Sequence, residues 1–358
     1  MLPPLTLKRI LVVRPDRIGD VLLSTPVLES LRHALPEAFI IMLIAPHGRE
    51  IVELNPYLNG VLVLDKKGRH RGATGMVRLV RELRRHRFDT ALVLHGTRRV
   101  HLALFLARIP RRIGYNRKWG MLLTDRLKDV KHFGEKHEAQ YTLDILRSLG
   151  IPVEPPHVLL PTTPESDKKV DLFLEGQGVS RRESLVVLHP GASSPSKRWR
   201  EERFAELADR LVQKRGLRVI VICGPQDVAT GQSVLRAMRN KAIDACGKLS
   251  VREIGSLFKR SRLLISNDSG PVHAAVGVGT PVISLFGRSQ PGLSKTRWRP
   301  LGPRDVALQK DVGCPVCLAD DCDIDFECLK ALSVEEVYEA AAKLLETSDM
   351  RQETNREE

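Results

Sequence analysis

A chain of 358 residues that is 42% hydrophobic and 28% charged has the make-up of a globular protein with about two domains. No apolar run approaches the roughly 18 residues of a membrane span, and the N-terminal MLPPLTLKRI passes straight into a strand without room for a signal peptide, which predicts a cytoplasmic protein. The net charge of +14 is uneven: residues 1–160 hold 27 Lys/Arg against 15 Asp/Glu, the remainder 30 against 28. A basic first half predicts an anionic partner, either a phosphorylated substrate or an anionic membrane surface. The 4% aromatic content, not interleaved with the cations, argues against nucleic acid.

In chain order, Ile10–Val13 reads as a strand, followed by the loop Arg14–Asp20 and a helix from about Val21 to Ala34. Ala38–Ala45 is the next strand, then a short helix over Arg49–Leu54 and a strand over Val61–Leu64. The basic loop Lys66–Gly72 leads into a helix over Gly75–His86. Thr90–Leu94 and Arg112–Tyr115 are strands around a helix through Leu102–Ala107, and His137–Leu149 is a helix. Ile151–Pro164 carries five prolines and no helical period, so it reads as a linker. Alternation restarts with strands at Leu185–Leu188 and Arg218–Ile222, and helices over Glu201–Lys214, after Asp227 and over Arg252–Phe258. Leu263–Ser266, a turn, a helix from Pro271 and the strand Thr280–Phe286 follow. A helix over Val334–Leu345 closes the fold. Strands alternating with helices predict an α/β protein with two parallel, helix-covered sheets, over 1–160 and 161–345, and a frayed polar tail over 346–358.

Two such halves imply a cleft between them, with ligands beyond the carboxyl ends of the strands. Three loops fall at such ends: Arg14–Asp20, His189–Trp199 and Asn267–His273. The turn Asn267-Asp268-Ser269-Gly270 before Pro271 leaves free N–H groups and the positive end of a helix dipole, which suits a phosphate. Asp268, Ser269, Gly270 and His273 surround it; the plainer reading is an ordinary turn with a capping Asp. In HPGASSPSKRW, Gly191, Ser193, Ser194 and Lys197 offer backbone and hydroxyl donors with a cation, as a diphosphate requires. The alternative is a solvated loop with a surface lysine. Asp20 is either a helix N-cap or a carboxylate able to act as general base on a hydroxyl.

Cys314, Cys317, Cys322 and Cys328 have the spacing C-x2-C-x4-C-x5-C. Three readings stand: a structural zinc or iron site, buried free thiols, or a disulfide formed on oxidation. The gap between the two pairs is short for a zinc site.

Gly19-Asp20 after the first strand, the HPGASSPSKRW loop and the run NDSGPVHAAVGVGTPVISLFG, in this order, resemble the bacterial lipopolysaccharide heptosyltransferases of glycosyltransferase family nine. The His-Pro-Gly loop is more like that of heptosyltransferase II than I. The likeness spans roughly residues 8–345 and departs at Arg200, where that family usually has proline. It implies a GT-B fold of two Rossmann-like domains, the first for the acceptor and the second for the ADP-sugar. It implies inverting transfer of heptose from ADP-L-glycero-D-manno-heptose to the lipid A-linked inner core of lipopolysaccharide, at the inner leaflet of the cytoplasmic membrane, with no cofactor or metal in catalysis. By the same resemblance Asp20 is the catalytic base and Lys197 the phosphate-binding lysine. The donor would be held by Gly191, Ser193, Ser194, Asp268, Ser269, Gly270 and His273, with Gly224, Asp227 and Leu249 near the nucleoside. The acceptor would draw on Arg14, Arg17, Lys66, Arg69, Arg117 and Lys118. A sugar-nucleotide epimerase and a non-catalytic nucleotide-sugar or anionic-lipid binding protein are the alternatives from other classes.

Overall fold

The computed structural model describes residues 7–357. Residues 1–6, on which the expectation about a leader partly rests, and residue 358 lie outside it. The chain divides into two compact units, Met1–Leu159 and Leu160–Glu358.

The first unit holds a six-stranded parallel sheet: β1 (Arg9–Arg14), β2 (Phe39–Ile44), β3 (Gly60–Val63), β4 (Thr90–Val93), β5 (Arg111–Tyr115) and β6 (Asp125–Leu127), in the order β3-β2-β1-β4-β5-β6. The second repeats it with β7 (Leu185–His189), β8 (Arg218–Val221), β9 (Ile243–Asp244), β10 (Leu263–Asn267), β11 (Val282–Phe286) and β12 (Val306–Gln309), in the order β12-β11-β10-β7-β8-β9. Read from its own first strand, each sheet runs 3-2-1-4-5-6, the doubly wound Rossmann order. Its direction of winding reverses between β1 and β4 and between β7 and β10. Central strands such as RILVVR, LVVLH and VISLF are apolar on both faces because helices cover both. One core gathers Leu11, Val13, Leu43, Leu79, Val93 and Leu104; the other gathers Val186, Phe204, Leu211, Val221, Ile265 and Ile283.

Several expectations are corrected. The helix expected over Val21–Ala34 is two, Ile18–Leu22 and Thr25–Ala34. Pro26 has no N–H to continue the first and instead fits the second position of a new helix. A helix at Pro164–Gly176 begins directly after the proline-rich stretch, with a capping box of Thr163 and Ser166. Short strands β6, β9 and β12 add to the sheets. The last helix runs Val334–Glu357, so the backbone of 346–357 is helical rather than frayed; no Gly or Pro interrupts that stretch.

Candidate functional site

In the first unit β1 ends on Arg14, whose side chain is only 2% exposed. Its guanidinium meets three carboxylates. Nη2 donates to Asp20 Oδ1 at 2.6 Å, Nε lies 3.0 Å from Asp16 Oδ1, and Nη1 and Nη2 reach Glu138 Oε1 at 3.1 and 3.0 Å. Nη1 also donates to the Leu94 carbonyl at the end of β4, across the point where the sheet's winding reverses. Lys131 Nζ lies 3.0 Å from Glu138 Oε1, over the ring of Tyr115. His95 Nδ1 stands 3.0 Å from Asp16 Oδ2.

Two cations thus face three carboxylates, and the carboxylates divide. Burial, the largest influence, pushes the Asp20 carboxyl above its ordinary value; Arg14 opposes this, while Asp16 and Glu138 add to it. Burial acts on Asp16 too, but Arg14 and His95 outweigh it and hold its carboxyl low. Asp20 is no helix cap: it sits in the first turn of Ile18–Leu22, where Arg17 holds the capping position and no side chain caps the helix. It is 17% exposed, so the more basic of the two aspartates is open to solvent.

The expected acceptor residues scatter. Arg14 is buried, its Nη1 and Nη2 donating to Leu94, Asp20 and Glu138. Burial and the repulsion of Lys118 and Arg99 lower the Lys66 ammonium, while Asp16 raises it. Arg69 leans toward Glu82 at 4.0 Å and Arg117 toward Asp129 at 3.7 Å; Arg17 is exposed.

In the second unit the strand ends of β7 and β10 meet. Asn267 donates through Nδ2 to the Pro190 carbonyl at 2.8 Å and accepts through Oδ1 from the Trp199 N–H at 3.1 Å. Trp199 is fully buried, and its indole N–H reaches the Leu332 carbonyl at 2.9 Å. These bonds clamp both ends of the HPGASSPSKRW loop onto β10. Lys197 Nζ donates to the Asp268 carbonyl at 3.0 Å and pairs with its Oδ2 at 2.7 Å. His189 Nδ1 lies 3.2 Å from Ser266 Oγ and 3.1 Å from Ser269 Oγ. Burial lowers His189 to about 4, so it is neutral near pH 7 and can accept from those hydroxyls. Ser269 precedes the helix Gly270–Gly277, and no side chain caps that helix. Pro271 has no N–H and the Val272 N–H donates to the Ser269 carbonyl, so the N–H groups at Ser269 and Gly270 are the ones turned to an anion.

Of the remaining expected donor residues, Gly191 adjoins Asp227: a Cβ there would stand 3.0 Å from Asp227 Oδ2. Asp227 Oδ1 is 3.8 Å from Arg198 Nη2. Ser193 is exposed, Gly224 and Leu249 are half-buried in the loops after β8 and β9, and His273 is buried. Glu138, Lys131, His95 and His189 escaped the sequence reading; only His189, at a strand end beside Pro-Gly, carries a local signal.

Cys314, Cys317, Cys322 and Cys328 are free thiols along one cavity of about 450 Å³. They are not gathered as a metal's ligands: among the described residues no three His, Cys, Asp or Glu side chains are placed to hold an ion. Cys317, Cys322 and Cys328 take backbone partners, and burial, with the three other thiols adding to it, raises Cys328. The Phe326 N–H donates to Cys322 Sγ at 3.3 Å. Burial raises the Cys317 thiol, but N–H groups of Ala319, Ser289 and Gln290 outweigh it and hold it below its ordinary value.

Two Rossmann-like units, each with polar groups at its winding reversal, are the make-up of the GT-B fold. The family model for glycosyltransferase family 9 (heptosyltransferase) matches residues 76–326, and the chain belongs to that family. It is 28% identical over 336 residues to lipopolysaccharide heptosyltransferase 3 of Escherichia coli K12, covering 91% of this chain and 95% of the relative. It is 26% identical over 294 residues to lipopolysaccharide heptosyltransferase 2 of Salmonella typhimurium, covering 79% and 84%. Among solved structures, a family 9 glycosyl transferase from Veillonella parvula superposes with a TM-score of 0.86 at 28% identity, covering 95% and 98%.

Proposed function

We propose that this enzyme is an inverting heptosyltransferase that moves heptose from ADP-L-glycero-D-manno-heptose to the inner core of lipopolysaccharide. The observation that carries the mechanism is the carboxylate of Asp20, raised by burial and oriented by Arg14 at the carboxyl end of β1. An acceptor hydroxyl gives its proton to Asp20 while its oxygen attacks the anomeric carbon. The bond from that carbon to the β-phosphate oxygen breaks on the opposite face, which inverts the centre and releases ADP. Lys197 and the N–H groups at Ser269 and Gly270 take up the charge that develops on the leaving phosphate. His189 holds the Ser269 hydroxyl. No metal or other cofactor is assigned a step.

The acceptor carries phosphates and acidic sugars on a lipid. The basic first unit, in which Lys66 feels the repulsion of Lys118 and Arg99, suits it, and the same charge favours a peripheral station on an anionic inner leaflet. Among the described residues no helix is long and apolar enough to cross a membrane.

The test incubates the protein with ADP-heptose, with and without a heptose-deficient core acceptor, and follows ADP release and product mass. Acceptor-dependent ADP release with a product heavier by one heptose is expected. Turnover of the nucleotide sugar without acceptor would instead indicate an epimerase, and binding without turnover over a panel of acceptors a binding protein.

A further inference from the structure

The end of β11 brings a second cation to the loop of Lys197. A Cβ on Gly287 would stand 2.4 Å from the Ser196 carbonyl oxygen, so only glycine lets the chain leave β11 this close to the His189–Trp199 loop. The next residue is Arg288. Its side chain is 11% exposed, and among the described residues its one ion pair, at 3.6 Å, is with Asp268 Oδ2, the oxygen that Lys197 holds at 2.7 Å. The Arg288 Nε is buried without a hydrogen-bond partner. Beside it, the Asp320 carboxylate accepts hydrogen bonds from Ser194 and, at 2.5 Å, from Ser196. Those two hydroxyls, and then the charges of Arg288 and Lys197, hold the Asp320 carboxyl below its ordinary value.

We infer that Arg288 is a second cation for the diphosphate of the nucleotide sugar, and that Asp320 is the anion which that diphosphate displaces from Ser194 and Ser196. The inference rests on the donor assignment above. A guanidinium offers five N–H donors in a fixed fork suited to two phosphate oxygens. Arg288 has one long carboxylate contact and a buried donor left over, which is costly without a further acceptor. Lys197 and Arg288 share a single carboxylate oxygen, so a doubly charged diphosphate offers both what Asp268 cannot. Asp320 is exposed, on the loop between β12 and the last helix, and can return to water as the phosphate takes its two hydroxyls. Left in place, it would repel the nucleotide.

Calorimetric titration of the full chain with ADP and with adenosine separates these statements. Arg288→Gln should weaken ADP by about 10- to 100-fold, as loss of a charge-assisted bond does, and leave adenosine within about twofold. Arg288→Lys, which keeps the charge without the fork, should fall between, and this series guards against a folding defect. Asp320→Asn should tighten ADP by about three- to tenfold and leave adenosine unchanged. ADP affinity unchanged in Arg288→Gln, or lost equally for ADP and adenosine, overturns the role of Arg288. Weaker ADP binding in Asp320→Asn overturns the displacement, since Asp320 would then support the site. If the unaltered protein binds ADP no more tightly than adenosine, the donor assignment itself fails.

Discussion

Arg14 Nη2 donates to Asp20 Oδ1 at 2.6 Å, and the same guanidinium holds Asp16 and Glu138. One buried cation thus orients the base and also limits how basic it becomes. Removing the carboxylate while keeping its shape tests the assignment. Asp20→Asn should lower kcat by about 10²–10⁴, the usual worth of a general base, with ADP affinity and melting temperature little changed. A variant with more than about half the original kcat would make Asp20 a structural partner of Arg14 and remove it from the chemistry.

The divided carboxylates predict a pH profile. Asp20 must be ionised to accept a proton, and its folded value lies above the ordinary 3.8. Activity is therefore present above the Asp20 value and is lost as pH falls through it, so the acid limb of kcat/KM lies above 3.8. Arg14 holds Asp20 down. Arg14→Lys leaves a charge that cannot reach three carboxylates at once, so the limb should move to higher pH while the melting temperature falls. A limb that stays in place, with activity lost only in proportion to folded protein, would show that Arg14 acts on stability alone.

Lys197 contacts Asp268 twice, once at the carbonyl and once at the carboxylate. Lys197→Ala should weaken ADP by about 10- to 100-fold, the equivalent of about 1.5–3 kcal/mol for a charge-assisted hydrogen bond, and should lower kcat as well. The leftover Asp268 carboxylate, 7% exposed, would add repulsion toward phosphate. Calorimetry showing equal ADP affinity in both proteins would take Lys197 out of the donor site.

The central strands and the strand-end loops were readable because their signals are local. LVVL before HPG, and LLISN before DSGP, place apolar runs against turn residues. The edge strands β6, β9 and β12 were not, because strands of two to four residues with little burial carry almost no period. The helix Pro164–Gly176 was masked by prolines read as a linker, although Thr-Pro-Glu-Ser is a helix start. Arg14 illustrates a different limit. An arginine in a loop next to Asp and Gly reads as a surface cation, and only the return of Glu138, 124 residues later, shows that it is buried among carboxylates. Arg288 and Asp320 escape in the same way: their partners lie on other strand ends, so no local spacing announces them.

The last prediction concerns the basic surface of the first unit. Lys66 is exposed and its ammonium is lowered, first by partial burial and then by the neighbouring Lys118 and Arg99, with Asp16 opposing. Mutual repulsion of this kind favours a polyanionic partner. Arg69 and Arg117 already lean on Glu82 and Asp129 at 4.0 and 3.7 Å, so they have less to offer. Exposed charges are screened over about 8–10 Å at physiological salt. Raising salt should therefore raise KM for a phosphorylated core acceptor several-fold while KM for the ADP-sugar, held by partly buried groups of the second unit, changes less. Replacing Lys66 and Lys118 together with Ala should flatten the salt dependence of the acceptor KM and leave the donor KM and the melting temperature near their original values. Equal salt sensitivity for both substrates, or an acceptor salt slope that survives the double substitution, would assign this basic surface to something other than the acceptor.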